Sequence, residues 1–254
     1  MKNKILDIET MLSTPRWRSI WTGQKFGKIF GENTSPAMLG GYDGPHVRAL
    51  IENLAYVLHN EIHGDVIELG CNNGGMSNFF KLFLDQYGSD KKLYLYDSFE
   101  GLPQSDKDKD ERSWSGMKTR KDLVLEGFKA NEIPPPHKLH KGWFKDLTPE
   151  DLPQSVAFAF YDGDLYESIH QSLEKTYHLV SVGGIIAIHD YGDYRFPGVK
   201  QACFDFLGDE EAQRIYRYED TADWSVVLKQ RLSIDSDFLS RHPEYMSLGF
   251  LVKR

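Results

Sequence analysis

Five short apolar runs punctuate the chain, and stretches with helical spacing separate them. The runs are "DVIELG" (65–70), "KLYLYDS" (92–98), "HKLHKG" (137–142), "VAFAFYDG" (156–163) and "GGIIAIHDY" (183–191). The fourth and fifth are almost continuously apolar, as strands buried on both faces should be. Between them, "YESIHQSLEKTYHLV" carries Ile169, Leu173, Tyr177 and Val180 at helical spacing. "MSNFFKLFLDQYG" (76–88) predicts a second amphipathic helix, ended by Gly88. "GPHVRALIENLAYVLHNEI" (44–62) predicts a third, with Pro45 in its first turn. This alternation predicts an α/β fold: a Rossmann-like, doubly wound and mostly parallel sheet of about seven strands. "AQRIYRYED" and "WSVVLKQ" come late and close together, and are expected to form an antiparallel hairpin at one sheet edge.

The pattern divides the chain into an N-terminal helical extension or lid, residues 1–64, and a main domain, residues 65–254. The extension is rich in glycine and aromatics without a clear period. It is expected to cover a pocket or to pair two copies of the chain; Trp17, Trp21, Phe26 and Phe30 suit either packing or stacking on an acceptor. The most polar run, "PQSDKDKDERSWSG" (103–116), reads as an exposed, mobile loop. A net charge of -8 speaks against a nucleic-acid partner. No apolar stretch is long enough to span a bilayer, and the N-terminus lacks the apolar segment of a signal peptide. The two cysteines, Cys71 and Cys203, suit a reducing compartment. A cytoplasmic enzyme or binding protein is the expectation.

Candidate chemistry gathers at strand ends, where open α/β sheets bind ligands. After the first strand, "ELGCNNGG" brings Glu68, Gly70, Gly74 and Gly75 into a tight loop. The spacing is not G-x-G-x-x-G, so the dinucleotide fingerprint fails. After the second strand comes Asp97, an acid placed to accept hydrogen bonds from ribose hydroxyls; capping the next helix is its plainer role. Loop and acid together argue for an adenosine-type nucleoside. After the fourth strand, "YDGDLYES" sets Asp162 and Asp164 one glycine apart. They either form a turn or face a ligand, and His189-Asp190 at the neighbouring strand end favours the ligand. His46 reads as an ordinary helix residue, Cys71 as packing, and Tyr191, Tyr194 and Arg195 as loop residues within reach of an acceptor.

These segments, with "YLYDSFEGLP", "GWFKDLTP" and "GGIIAIHDYGDYRFPGV", resemble the macrocin O-methyltransferase (TylF-like) family over residues 34–208. The resemblance implies S-adenosylmethionine as cofactor and a hydroxyl of a small natural product, such as a sugar hydroxyl, as acceptor. It implies a cofactor site lined by Glu68, Gly70, Gly74, Ser77, Asp97, Ser98 and Asp162. Phe99 and Trp143 would lie near the adenine, and Met38 and Leu39 would belong to the lid. Family members hold Mg²⁺ through three acids. Here Asp162 and Asp190 keep two of them, and His189 replaces an expected aspartate. His189 can then be a metal ligand, the general base, or a structural histidine; Asp164 is the other candidate base. Two rivals stand beside this reading. One is a non-catalytic or metal-independent cofactor-binding protein. The other is an NAD-linked oxidoreductase, against which the missing dinucleotide fingerprint speaks.

Overall fold

A computed structural model describes residues 44–110, 116–217 and 248–254. Helix α1 (Gly44–His59) leads into β1 (Asp65–Leu69), α2 (Gly75–Tyr87) and β2 (Leu93–Asp97). Then follow α3 (Lys121–Ala130), β3 (Lys138–Lys141), β4 (Val156–Tyr161), α4 (Tyr166–Thr176) and β5 (Val180–Ile188). Helices α5 (Pro197–Leu207) and α6 (Asp209–Ala212) precede the short β6 (Tyr216–Arg217), and β7 (Gly249–Val252) ends the chain. The sheet order is β3-β2-β1-β4-β5-β7-β6. The first five strands are parallel, and β7 runs antiparallel to both β5 and β6. The order reverses between β1 and β4, so their crossovers leave on opposite faces and a cleft opens at their carboxyl ends.

Side-chain alternation in β4 explains the two layers. Phe158 and Phe160 point into one core with Leu50, Phe80 and Phe83 of α1 and α2. Ala159 and Tyr161 point into the other, with Ile169 and Leu173 of α4 and Cys203 of α5. Phe80 is fully buried and meets Phe158 and Phe160 edge-on at 5.5 and 5.8 Å. Helix α1, counted with the extension by sequence, buries Val47, Leu50, Ile51, Leu54 and Val57 in this first core.

The structure differs from the sequence reading at three places, and one segment of the expected edge hairpin lies outside the described residues. Val180 opens β5 rather than closing a helix: α4 stops at Thr176, and one 3-10 turn separates it from the strand. Pairing of Val180 with Val156 decides this, since a β-branched residue fits a pleated surface better than its helical spacing suggests. At the sheet edge, β6 pairs with β7, four residues at the chain's end; "WSVVLKQ" (224–230) lies outside the described residues. Helices α3 and α5 have no counterpart in the sequence reading. Finally, the polar run after β2 is not simply exposed, because Asp110 is buried at 6% of its surface.

Candidate active site

The carboxyl ends of β1, β2, β4 and β5 enclose an open cavity lined by residues from all four strand ends, the place where open α/β sheets bind ligands. At one end lies the turn after β1. Gly70 has φ +98°, and a Cβ there would overlap the Asp162 carbonyl oxygen. Only glycine lets the first turn pass this close to the loop after β4. Gly74 has φ +78° and begins α2, packed so tightly that a Cβ would come 2.9 Å from Val124. Asp97, the last residue of β2, accepts the Asn72 N–H at 2.8 Å and the Phe99 N–H at 2.7 Å. Its carboxyl group thus pins the glycine turn to the β2 loop and keeps further lone pairs for a ligand. Burial raises its pKa against the two amide bonds that lower it.

Beneath this turn Glu68 is 1% exposed and accepts the Ser77 hydroxyl at 2.5 Å. Burial, offset in part by that hydrogen bond, pushes its pKa to about 8. Glu68 and Ser77 therefore brace the turn from below and do not line the cavity. Phe99 has φ +56° and turns its ring into the core of α1 and α2. Ser98 accepts the Glu100 N–H and donates to the Gly101 carbonyl, closing the bend after β2.

At the other end, four side chains crowd together. The ligand atoms of Asp162, Asp164, His189 and Asp190 all lie within 4.8 Å of one another. His189 Nδ1 stands 3.0 Å from Asp162 Oδ1 and 3.0 Å from Asp190 Oδ2. Burial opposes a charge on His189, but Asp190 and Asp162 outweigh it and hold the imidazole well above its usual pKa. Burial, with Asp162 and Asp190 adding to it, raises Asp164 well above the carboxylate range. Both Asp164 (φ +59°) and Asp190 (φ +57°) adopt left-handed backbone, which turns their side chains out of the strand direction toward one point.

Of the residues singled out by sequence, Gly70, Asp97, Ser98, Trp143, Asp162, Asp164 and His189 line this single cavity. Asp190 sits beside it in the acid cluster. Met38 and Leu39, like Trp17, Trp21, Phe26 and Phe30, lie outside the described residues. Tyr191 packs in the core, Arg195 pairs with Asp193, and Tyr194 is exposed. Sequence reasoning missed Asn72, Leu102, Pro103, Met117 and Gln171, which also line the cavity. It also missed His46, whose buried ring meets His189 edge-on at 5.4 Å. Nothing in the spacing of α1 marks His46; only the packing of that helix beside β5 brings it there.

Residues 34–230 match the macrocin O-methyltransferase (TylF) family. The 8-demethyl-8-(2,3-dimethoxy-alpha-L-rhamnosyl)-tetracenomycin-C 4'-O-methyltransferase of Streptomyces olivaceus is 30% identical over 201 residues. That alignment covers 70% of this chain and 75% of that enzyme. The demethyldecarbamoylnovobiocin O-methyltransferase of Streptomyces niveus is 29% identical over 156 residues, 58% of either chain. The solved structure of the O-methyltransferase NovP shares the fold, with a TM-score of 0.60 at 21% identity over 92% of this chain and 95% of that one. The chain belongs to the macrocin O-methyltransferase family and is an S-adenosylmethionine-dependent O-methyltransferase.

Proposed function

We propose that this enzyme transfers the methyl group of S-adenosylmethionine to a sugar hydroxyl of a glycosylated natural product. One observation carries the reading: a single cavity is lined both by the glycine turn with Asp97 and by Asp162, Asp164 and His189. The relative from Streptomyces olivaceus is named for a rhamnosyl tetracenomycin, which supports a sugar acceptor. In this reading the turn at Gly70, with Asp97, Ser98 and Trp143, holds the nucleoside, while Glu68, Gly74 and Ser77 keep the turn rigid. Most of the rate gain comes from holding hydroxyl, methyl and sulfur in line. Asp164 in its ionised form, or His189 in its neutral form, accepts the hydroxyl proton, a contribution of about 10²–10⁴-fold.

A divalent cation belongs to the proposal, because three hard carboxylate ligands within 4.8 Å suit Mg²⁺. Asp162 and Asp190 would hold it, with His189 or Asp164 beside them. When bound, such an ion supplies a Lewis acid that weakens the O–H bond of a hydroxyl. A metal-independent reading is favoured by one geometric fact: His189 Nδ1 lies 3.0 Å from an oxygen of each of two carboxylates, so a protonated imidazole can balance their charge without an ion. Calorimetric titration of chelator-treated protein with S-adenosylhomocysteine, with and without Mg²⁺, separates the readings. Binding that strengthens with Mg²⁺, and loses that response in Asp162→Asn or Asp190→Asn, supports the metal. Binding indifferent to Mg²⁺ supports the imidazole alone. No binding in either condition sinks the assignment of the cavity. Pairing of two copies through the N-terminal extension (1–64) and a cytoplasmic location complete the proposal. Both cysteines are free and buried, as a reducing compartment permits, and sedimentation of the purified chain reads the oligomeric state.

A further inference from the structure

The segment after β2 begins as a wall of the cavity, through Gly101, Leu102 and Pro103. Leu102 N–H bonds the Gly116 carbonyl at 3.3 Å, which closes the base of the segment. Further along, the chain turns inward at Asp110. Its Oδ2 accepts the Asp106 N–H at 2.9 Å, and its Oδ1 accepts the Tyr166 N–H, at the start of α4, at 3.0 Å. Asp110 is only 6% exposed, in a run of residues otherwise made of lysine, aspartate and glutamate. A buried carboxyl group in so polar a segment needs a reason, because burial costs free energy unless its oxygens are bonded.

The fold makes room for it. Gly198 lies at the start of α5, and a Cβ there would overlap Asp110 Oδ1 and approach Tyr166 Cβ to 2.9 Å. Alanine is otherwise the better helix residue by up to about 1 kcal/mol. The neighbouring Lys109 reinforces the join: its Nζ lies 3.4 Å from the centre of the Tyr166 ring and 3.4 Å from Asp205, which also accepts the Tyr166 hydroxyl at 2.9 Å. Tyr166 is two residues beyond Asp164, so the contact reaches from the nucleoside wall to the loop that carries the acids.

We infer that Asp110 is a positioning residue for the cofactor. Its bond to the Tyr166 N–H, in the space left by Gly198, holds the Leu102–Pro103 wall against the nucleoside and fixes that wall relative to Asp162 and Asp164. The inference rests on the reading of the cavity as the S-adenosylmethionine site, and it assigns a role to a segment that touches no reacting atom.

The test compares wild type with Asp110→Ala, Asp110→Asn and Gly198→Ala, each checked for folding by its thermal unfolding midpoint. Asp110→Ala should raise the S-adenosylhomocysteine Kd and the S-adenosylmethionine KM at least about fivefold, as loss of a buried hydrogen bond would. It should leave kcat within about twofold, since the wall acts in binding and not on the reacting atoms. Asp110→Asn keeps an oxygen for the Tyr166 N–H but sets its NH2 against the Asp106 N–H, so it should recover only part of the affinity. Gly198→Ala should mimic Asp110→Ala, and the double variant should be no worse than either, because both break one contact. Amide hydrogen exchange of residues 101–110 in the ligand-free protein should quicken in Asp110→Ala. If exchange there is unchanged, or if folded Asp110→Ala binds S-adenosylhomocysteine as wild type does, the inference is overturned while the cavity assignment stands. If wild type itself does not bind, both fall.

Discussion

At the scale of single residues, the site separates side chains that line the cavity from those that hold them. Asp162 and Asp164 face the cavity, so Asp164→Asn should lower kcat by about 10²-fold or more if it is the base. S-adenosylhomocysteine binding should survive the change; an unchanged kcat would leave His189 as the proton acceptor. Glu68 works from beneath. Its carboxyl group keeps its proton to about pH 8 in the folded chain, because burial raises its pKa, whereas the unfolded chain releases it near the ordinary 4.5. Between those values the unfolded state binds fewer protons, so stability falls as pH rises, and the loss is complete above about pH 8. Glu68→Gln retains an oxygen for the Ser77 hydroxyl and removes that slope. Urea unfolding at pH 5 and pH 8 should show wild type losing on the order of a few kcal/mol more than the variant across that interval. Equal losses would mean that Glu68 is ionised in the fold.

At the scale of elements, what the sequence made legible and what it hid follow from locality. β1, β2, β4 and β5 were readable because each is a short apolar run between turn residues, and their ends delivered Gly70, Asp97, Asp162 and His189 to one cavity. The start of β5 was hidden because helical spacing at Tyr177 and Val180 competes with strand pairing, which is decided by a partner far away in sequence. The edge partner of β6 was hidden for the same reason. Phe99 carries no local signal for its direction: Asp97 lines the cavity, whereas a left-handed backbone at Phe99 sends the ring into the core. His46 and Asp110 carry no local signal at all, since each matters only through a helix or loop that packing brings alongside. Core elements invite a simpler test. Phe80→Ala removes the ring that joins α2 to Phe158 and Phe160, and denaturant unfolding should show a loss of about 3–5 kcal/mol. A loss below about 1 kcal/mol would mean that the packing of α2 on the sheet does not depend on this contact.

At the scale of the whole molecule, stability and chemistry are drawn from different places. The two cores on either side of the sheet are apolar, while the cleft at the switch point gathers four ionisable groups, two of which, Asp164 and Asp190, sit in left-handed backbone. That backbone is disfavoured for any residue with a Cβ, though aspartate tolerates it better than most. A glycine at either position would relieve the conformation and thin out the crowded carboxylates together. Asp164→Gly should therefore raise the unfolding midpoint of the ligand-free protein while abolishing or severely reducing methyl transfer; a lowered midpoint would show that Asp164 contributes more to folding than it costs. Laboratory selection for heat resistance alone would then drift toward erasing the acids, producing a sturdier chain that still captures the nucleoside yet no longer alkylates anything. Any campaign to harden this enzyme has to score turnover in every round, or the backbone at Asp164 and Asp190 will be the first thing it gives away.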